Sequence, residues 1–117
     1  MINDLYFLKS RSGKIASGKS TPKEPMASGA DKFRLYQEAV QMPDYEVGFF
    51  VQAYGDARQG TPYTLCEDFC GTFAVSCEWV KSDPKRTAIG FDTCGTTLQW
   101  GRDNNLSKLT DEQQQRV

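Results

Sequence analysis

Histidine is absent from this chain of 117 residues. Its absence excludes Ser-His-Asp and Cys-His catalysis within the chain, and with them every metal site that needs an imidazole ligand. An excess of charge of one sign is also absent, because 14 Lys and Arg side chains accompany 15 Asp and Glu side chains, a formal net charge of -1. The chain therefore lacks the positive field typical of proteins that bind nucleic acid. No apolar run approaches the roughly 20 residues that a membrane-spanning helix needs, which argues against an integral membrane protein.

The first 30 residues differ in character from the rest. They hold five basic and two acidic side chains, a net charge of +3. Residues 31–117 hold nine basic and thirteen acidic side chains, a net charge of -4. Residues 9–30 are rich in Ser, Gly, Lys and Pro and offer little to bury, so we predict a flexible, disordered tail over 1–30 and an ordered domain over 31–117. The apolar stretch at residues 5–8 is too short for a secretory signal. This favours a cytoplasmic location, with organelle targeting by the tail left open.

Residues 13–20 match the phosphate-binding pattern G-x-x-x-x-G-K-[ST] letter for letter. That motif needs a preceding strand and a following helix whose first amide groups hold the phosphates. Here Pro22 and Pro25 follow the pattern, and they leave no such helix. We interpret the match as a chance product of a segment rich in Gly, Ser and Lys.

The four cysteines do not show the paired C-x-x-C spacing of a structural zinc site. Without a secretory signal, disulfides are not expected either. We therefore predict no metal site and interpret the thiols as small, buried apolar side chains. They are Cys66, Cys70, Cys77 and Cys94.

Two amphipathic helices are predicted at the start of the ordered part. Asp31 is a suitable N-cap for the first helix, which ends before Pro43. Asp44 is the predicted N-cap of the second helix. The apolar residues at helical spacing are expected in the core, and a role for Tyr36 in covering a ligand is the alternative. These residues are Phe33, Tyr36 and Val40 in the first helix and Val47, Phe50, Val51 and Tyr54 in the second.

A repeat of strand, turn and helix follows. Strands are predicted at 63–66 and 87–91, and helices at 73–81 and 96–106. A polar segment over 111–116 closes the chain. This order predicts an α/β fold: an incomplete Rossmann-like βαβα unit with parallel strands and a right-handed crossover, preceded by two helices.

The ends of the two strands form the predicted ligand site. In the turn after the first strand, Gly71 lets the backbone approach a ligand, and the amide groups of Thr72 and Phe73 are expected to point into the crevice. Asp92 lies 21 positions after Gly71, at the end of the second strand. An acid about 20 residues after the glycine turn binds ribose hydroxyls in nucleotide-binding units. The alternative is that Asp92 only caps the following helix.

The chemistry of this turn favours one class of cofactor. A dinucleotide needs a G-x-G-x-x-G turn, whereas this turn has a single glycine, and Phe69 and Phe73 are too bulky for a diphosphate to lie on bare backbone. Glu67 at the end of the strand would repel phosphate but attract an ammonium group. A ligand with a cationic amino-acid end and a ribose end fits better, which points to S-adenosylmethionine. A nicotinamide-dependent oxidoreductase is the less favoured alternative.

The same residues resemble a known family. The segments E-D-F-C-G-T (67–72), E-W-V-K-S-D-P (78–84), G-F-D (90–92) and L-Q-W-G (98–101), with the helix after Asp31, are similar to the N-terminal half of bacterial-type class I S-adenosylmethionine-dependent methyltransferases. The resemblance implies S-adenosyl-L-methionine as the cofactor, with Asp92 at its ribose and Thr93 as a further cofactor-binding residue. It also implies a loop at the methionine end, formed by Glu67, Asp68, Phe69, Cys70, Gly71 and Thr72. It assigns no catalytic residue, and the methyl acceptor stays unknown.

Two features depart from the family's pattern. Phe73 stands where these loops usually have glycine or a small residue, and T-C-G at 93–95 replaces the more usual apolar-Asp-Pro turn. The resemblance reaches residue 117, where a third strand would be expected to begin, so we expect the N-terminal portion of such an enzyme, inactive alone. Parallel strands are stable almost only when both faces are covered. The alternative is therefore a non-catalytic fragment that associates with another chain through an exposed sheet edge.

Overall fold

The structure is a computed structural model that describes residues 29–117. Residues 1–28 of the predicted tail lie outside the described residues, and so does the phosphate-binding pattern at 13–20. The division of the chain at residue 31 stays a prediction. The elements in chain order are α1 (Lys32–Val40), α2 (Pro43–Arg58), β1 (Thr64–Asp68), α3 (Ala74–Ser82), β2 (Thr87–Phe91), α4 (Gly95–Asn104), a 3-10 turn (Leu106–Lys108) and α5 (Asp111–Gln114).

The two strands form a parallel sheet. They pair in register from Thr64 opposite Thr87 to Asp68 opposite Phe91, with α3 as the connection between them. This confirms the parallel βα repeat that the sequence predicts. Because side chains alternate along a strand, one face of the sheet packs against α3 and the other is exposed. We call the exposed face the open face; it consists of Thr64, Cys66, Asp68, Thr87, Ile89 and Phe91.

The core is built around α3. Its Trp79 and Val80 are fully buried, and the predicted apolar positions Phe73, Cys77 and Val80 are all buried as expected. Helix α2 packs on α3, with Val47 buried in the core cluster. Apolar burial of this kind is the main source of stability in a small domain. In the part of the chain that the structure describes, the core thus lies on one side of the sheet only.

The end of the chain is bonded to the end of α3, to the segment between α3 and β2, and to β2 itself. A capping box formed by Thr110 and Gln113 starts α5. Beyond it, Nη1 of Arg116 donates hydrogen bonds to the carbonyl groups of Val80, Asp83 and Arg86, at 2.6 to 3.1 Å. The Arg116 carbonyl in turn accepts from the Ala88 amide at 2.8 Å, on the edge of β2 that faces away from β1. These bonds fix the last residues beside β2.

The helix starts differ from the expectation in one respect. The Asp31 side chain accepts from the amides of Phe33 and Arg34, which confirms it as the N-cap of α1. The prediction that Asp44 caps α2 is wrong, because α2 begins at Pro43 and Met42 occupies the N-cap position. Proline suits the first position of a helix, where its missing N–H has no bond to lose. Asp44 lies in the first turn instead, where its charge favours the helix dipole.

Two predictions of burial are wrong. The exposed fractions of Tyr36, Val40, Phe50 and Tyr54 are 56%, 61%, 36% and 45%, because within residues 29–117 nothing packs on that side of α1 and α2. Among the cysteines, Cys70 and Cys77 are buried, but Cys66 lies on the open face and Cys94 at the surface, at the start of α4. Periodicity identifies an apolar stripe but not whether another element covers it.

No helix within residues 29–117 has the length and apolar character that crossing a membrane would require.

Candidate functional site

Asp92 links the two turns at the carboxyl ends of the strands. Its Oδ2 accepts from the Gly71 amide at 2.9 Å, and its Oδ1 accepts from the Cys94 amide at 2.8 Å. Asp92 is not the cap of α4, because the N-cap position belongs to Cys94; it bonds the amide of that residue and also holds the loop after β1. A carboxylate has about four lone-pair sites, so each oxygen retains capacity for a further donor such as a ribose hydroxyl.

The loop after β1 has an unusual backbone. Phe69, Gly71 and Phe73 have φ angles of 62°, 56° and 63°, in the left-handed region. Glycine adopts this conformation freely, whereas a side chain with a Cβ is strained there by about 1–2 kcal/mol. The Phe73 amide donates to the Cys70 carbonyl at 3.0 Å, so it does not point into a crevice as expected. The loop is thus a tight, internally bonded turn.

Two glycines allow this loop to pack closely. A Cβ on Gly90 of β2 would lie 2.8 Å from the Cys70 sulfur, and a Cβ on Gly101 of α4 would lie 2.5 Å from the Thr72 carbonyl oxygen. Real Cβ contacts are not this short, so neither position accepts a side chain without movement of the loop. The loop is held between β2 and α4.

A hollow opens beside Asp92 at the carboxyl ends of the strands. It has a volume of about 270 Å³ and is lined by Asp68, Phe69, Phe91, Asp92 and Thr93. Four of the eight predicted cofactor-binding residues therefore meet in one place. The location agrees with the rule that open α/β sheets bind ligands outside the carboxyl ends of their strands.

Glu67 is not among the residues that line this hollow. Its side chain points to the α3 side of the sheet, where its carboxylate accepts a hydrogen bond from the Ser76 hydroxyl. Burial raises the pKa of Glu67, and the nearby charge of Glu46 raises it slightly further, while the hydrogen bonds from Ser76 act in the opposite direction. The predicted contact of Glu67 with a cofactor stays a prediction, and the contact that the structure shows is with the first turn of α3.

Cys70 and Thr72 lie behind the hollow, not in its lining. Both residues are 5% exposed. Burial, with the charges of Glu67 and Asp92, raises the pKa of Cys70 to about 11, so its thiol stays protonated and is a poor nucleophile at neutral pH. The Thr72 hydroxyl donates to Oε1 of Gln37 at 2.6 Å. These residues shape the loop that borders the hollow.

The structure adds four residues that the sequence analysis did not select. Phe91 lines the hollow, Ser76 binds Glu67, and Gln37 and Asn105 bind Thr72. The alternation of β2 places Phe91 on the same face as Ile89, so its position could have been found from the strand pattern. Gln37 and Asn105 are 68 residues apart, and no local pattern connects them.

In the part of the chain from 29 to 117, no group of three or more Cys, Asp or Glu side chains is placed to hold a metal ion.

Comparison with known proteins gives one informative likeness. No protein-family model matches the sequence, and no curated protein matches it. A solved structure, that of the plantazolicin methyltransferase BpumL in complex with SAH, is similar to 68% of this chain, with a TM-score of 0.50 and 14% sequence identity. The match covers 36% of that chain, so the present chain spans about a third of its length. This likeness concerns the fold alone, and it agrees with an α/β chain that forms part of a Rossmann-like methyltransferase fold.

Proposed function

We propose that this chain supplies the cofactor-binding part of an S-adenosylmethionine-dependent methyltransferase. The main support is the hollow at the carboxyl ends of β1 and β2, which brings Asp68, Phe69, Asp92 and Thr93 together. The fold of the chain resembles part of a methyltransferase whose structure was solved with SAH. The site and the fold thus favour the same class of ligand.

The lining of the hollow fits the parts of such a cofactor. Asp92 has free lone pairs for ribose hydroxyls, and the carboxylates of Asp68 and Asp92 favour a cationic ligand over a phosphate. The rings of Phe69 and Phe91 offer apolar surface for a base or a methylene chain. At about 270 Å³ the hollow is just below the usual range of roughly 300–1,000 Å³ for small-molecule pockets, so it would enclose part of the cofactor.

The chemistry proposed for this site depends on positioning. S-adenosylmethionine supplies an activated methyl group on its sulfonium, and that group is displaced by a nucleophile of the acceptor. The residues of this chain would bind and orient the cofactor, which contributes to rate by holding the reacting atoms in line.

The proposal is tested by calorimetry with S-adenosylhomocysteine. Asp68 is the best position for a variant because it is exposed and its carboxylate makes no hydrogen bond within the described residues. We expect binding to the unsubstituted chain and a clear loss of affinity in Asp68→Ala. Asp56→Ala, which removes an exposed carboxylate from α2, is the matched control and should bind normally. If the unsubstituted chain binds NAD and not S-adenosylhomocysteine, the nicotinamide alternative is preferred.

The open face favours a second candidate function, that of a non-catalytic chain which associates with another polypeptide through its sheet. Ile89 and Phe91 on this face are 50% and 59% exposed, and parallel sheets are rarely left uncovered. Size-exclusion chromatography with and without S-adenosylmethionine separates the two candidates. Compaction that depends on the cofactor supports the methyltransferase proposal, whereas association that ignores the cofactor supports the second candidate.

A further inference from the structure

Thr72, in the loop that borders the hollow, is held by two distant parts of the chain. Its hydroxyl donates to Oε1 of Gln37 in α1 at 2.6 Å, and its carbonyl accepts from Nδ2 of Asn105, after α4, at 2.8 Å. The same Nδ2 also donates to Oε1 of Gln37 at 2.6 Å. Oε1 of Gln37 therefore accepts two short hydrogen bonds and connects α1 to the loop.

Helix α1 has little apolar burial to attach it. None of its residues is buried. Apart from the Gln37 contacts, it meets α4 through a 2.7 Å hydrogen bond from the Trp100 indole to Asp31 and through the rings of Phe33 and Trp100, 5.5 Å apart. An element with few buried contacts opens at low free energy. The bonds of Gln37 are thus a large part of what docks α1 to the rest of the molecule.

The position of Thr72 affects the hollow directly. Thr72 follows Gly71, whose amide binds Asp92, and the Thr72 backbone rests against Gly101 of α4. Without the bond from its hydroxyl to Gln37, Thr72 is held only through its backbone, by Asn105 and by the contact with Gly101. The strained backbone at Phe69 and Phe73 then has fewer contacts that keep it in its left-handed conformation.

We propose that Gln37 is a positioning residue for the cofactor site: by accepting from Thr72 and Asn105 it holds the loop after β1 in the conformation that binds ligand. This inference rests on the function proposed above. Because linkage is reciprocal, a ligand bound at the loop also strengthens the docking of α1. Helix α1 therefore affects the cofactor site through the loop, although none of its residues lines the hollow.

Three variants of the full chain test the proposal with S-adenosylhomocysteine as the probe. Gln37→Ala removes the acceptor and should weaken binding about five-fold, the size of one neutral hydrogen bond. Gln37→Glu keeps the accepting oxygen but replaces the Nε2 that donates to Oδ1 of Asn105 at 3.4 Å by a second oxygen, so its affinity should lie between those of Gln37→Ala and the original chain. Glu38→Ala, on the exposed side of the same helix, is the control and should bind normally. Equal affinity of Gln37→Ala and the original chain would overturn the proposal.

A double-mutant cycle separates positioning from a general loosening of α1. Thr72→Val removes the hydroxyl that Gln37 accepts from, at almost unchanged volume. We expect Gln37→Ala to weaken binding less in the Thr72→Val background than in the original chain, because both variants remove the bond between Thr72 and Gln37 and only the bonds of Gln37 to Asn105 are then left to lose. Additive losses would show that Gln37 acts elsewhere and would overturn the proposal.

Hydrogen exchange without ligand tells a failure of this proposal from a failure of the proposed function. Gln37→Ala should speed amide exchange in the peptide over residues 69–73, and the control Glu38→Ala should not. If the original chain does not bind S-adenosylhomocysteine but this exchange pattern is found, the cofactor is wrong and the positioning of the loop by Gln37 stands. Unchanged exchange in Gln37→Ala overturns the positioning role whatever the ligand.

Discussion

Phe69 illustrates how a single residue can be strained without being buried. Its φ of 62° is a glycine conformation, and its side chain is 77% exposed. We expect Phe69→Gly to raise the free energy of unfolding by about 0.5–1 kcal/mol, because relief of the left-handed strain exceeds the added entropy of glycine in the unfolded chain. Thermal unfolding followed by circular dichroism measures the change.

Phe73 provides the matched comparison for Phe69. It has nearly the same φ, 63°, but only 6% of it is exposed. Phe73→Gly should lower the free energy of unfolding by about 2 kcal/mol or more, since the loss of a buried ring outweighs the relief of strain. Equal effects of the two substitutions would show that backbone strain does not distinguish these positions.

The raised pKa of Glu67 predicts the sign of a pH dependence of stability. Its folded-state pKa is raised above the ordinary value of 4.5, chiefly by burial. The stability linked to its protonated form is fully present below that ordinary value and is lost as the pH rises through the folded-state pKa. Glu67→Gln keeps a neutral group that accepts from Ser76. The midpoint of thermal unfolding of the variant, relative to the original, should therefore increase between pH 4 and pH 7, and a constant difference would contradict this.

The four thiols should differ in reactivity. Hydrogen bonds from Thr97, chiefly from its hydroxyl and then from its backbone amide, lower the pKa of the exposed Cys94. Burial raises the pKa of Cys70 to about 11 and that of Cys77 to about 12. Since the thiolate is the nucleophile, iodoacetamide should label Cys94 first in the native protein and the two buried thiols at least about ten-fold more slowly. Mass spectrometry of the labelled peptides measures this order. In urea, where the chain is unfolded, all four thiols should react at similar rates. Similar rates in the native protein as well would contradict the burial of Cys70 and Cys77.

At the scale of whole elements, the contact of α4 with the loop depends on Gly101. Helix propensity alone predicts that Gly101→Ala stabilises the helix by about 1 kcal/mol. A Cβ there would meet the Thr72 carbonyl oxygen at 2.5 Å, so we expect the substitution to lower the free energy of unfolding by about 2 kcal/mol instead. Chemical denaturation measures both this variant and its control.

Gly48 in α2 is the control for Gly101. It lies inside a helix, is exposed, and a Cβ added there would meet nothing within 4 Å. Gly48→Ala should therefore follow propensity and raise the free energy of unfolding by about 0.5–1 kcal/mol. If both substitutions raise the free energy of unfolding, the close approach of α4 to the loop is not present in solution.

The sequence predicts elements best where one local signal decides them. Strand β2 is found at its predicted bounds, and the cap at Asp31 and the buried stripe of α3 are found as expected. The start of α2 was missed because Pro43 can both end one helix and begin the next. The exposure of Phe50 was missed because burial depends on what covers a helix, and periodicity does not contain that information.

The candidate site was predicted only in part, for a similar reason. Acids at strand ends and a glycine turn identify Asp68 and Asp92 at the carboxyl edge of the sheet, where the structure forms a hollow. Strand alternation separates Glu67 from Asp68, since neighbouring residues point to opposite faces. The bonds of Gln37 to Thr72 join elements that are distant in sequence, and a single sequence gives no signal for such pairs.

At the scale of the molecule, the main feature of residues 29–117 is a sheet with a core on one side only. Trp79 and Val80 are buried beneath it, while Ile89 and Phe91 remain exposed on the open face. Contiguous exposed apolar surface usually marks a place where another surface binds. We expect the isolated chain to self-associate through this face as its concentration rises.

Ile89→Thr tests this expectation without changing the backbone preference, because both residues are β-branched and suit a strand. It removes apolar surface from the open face and should lower the weight-average sedimentation coefficient at high concentration towards that of a monomer. Val40→Thr is the control: it removes apolar surface from α1 at a position that is 61% exposed, and it should leave association unchanged. If both variants reduce association equally, the contact is non-specific. If the original chain is monomeric at every concentration, the open face does not bind a second copy.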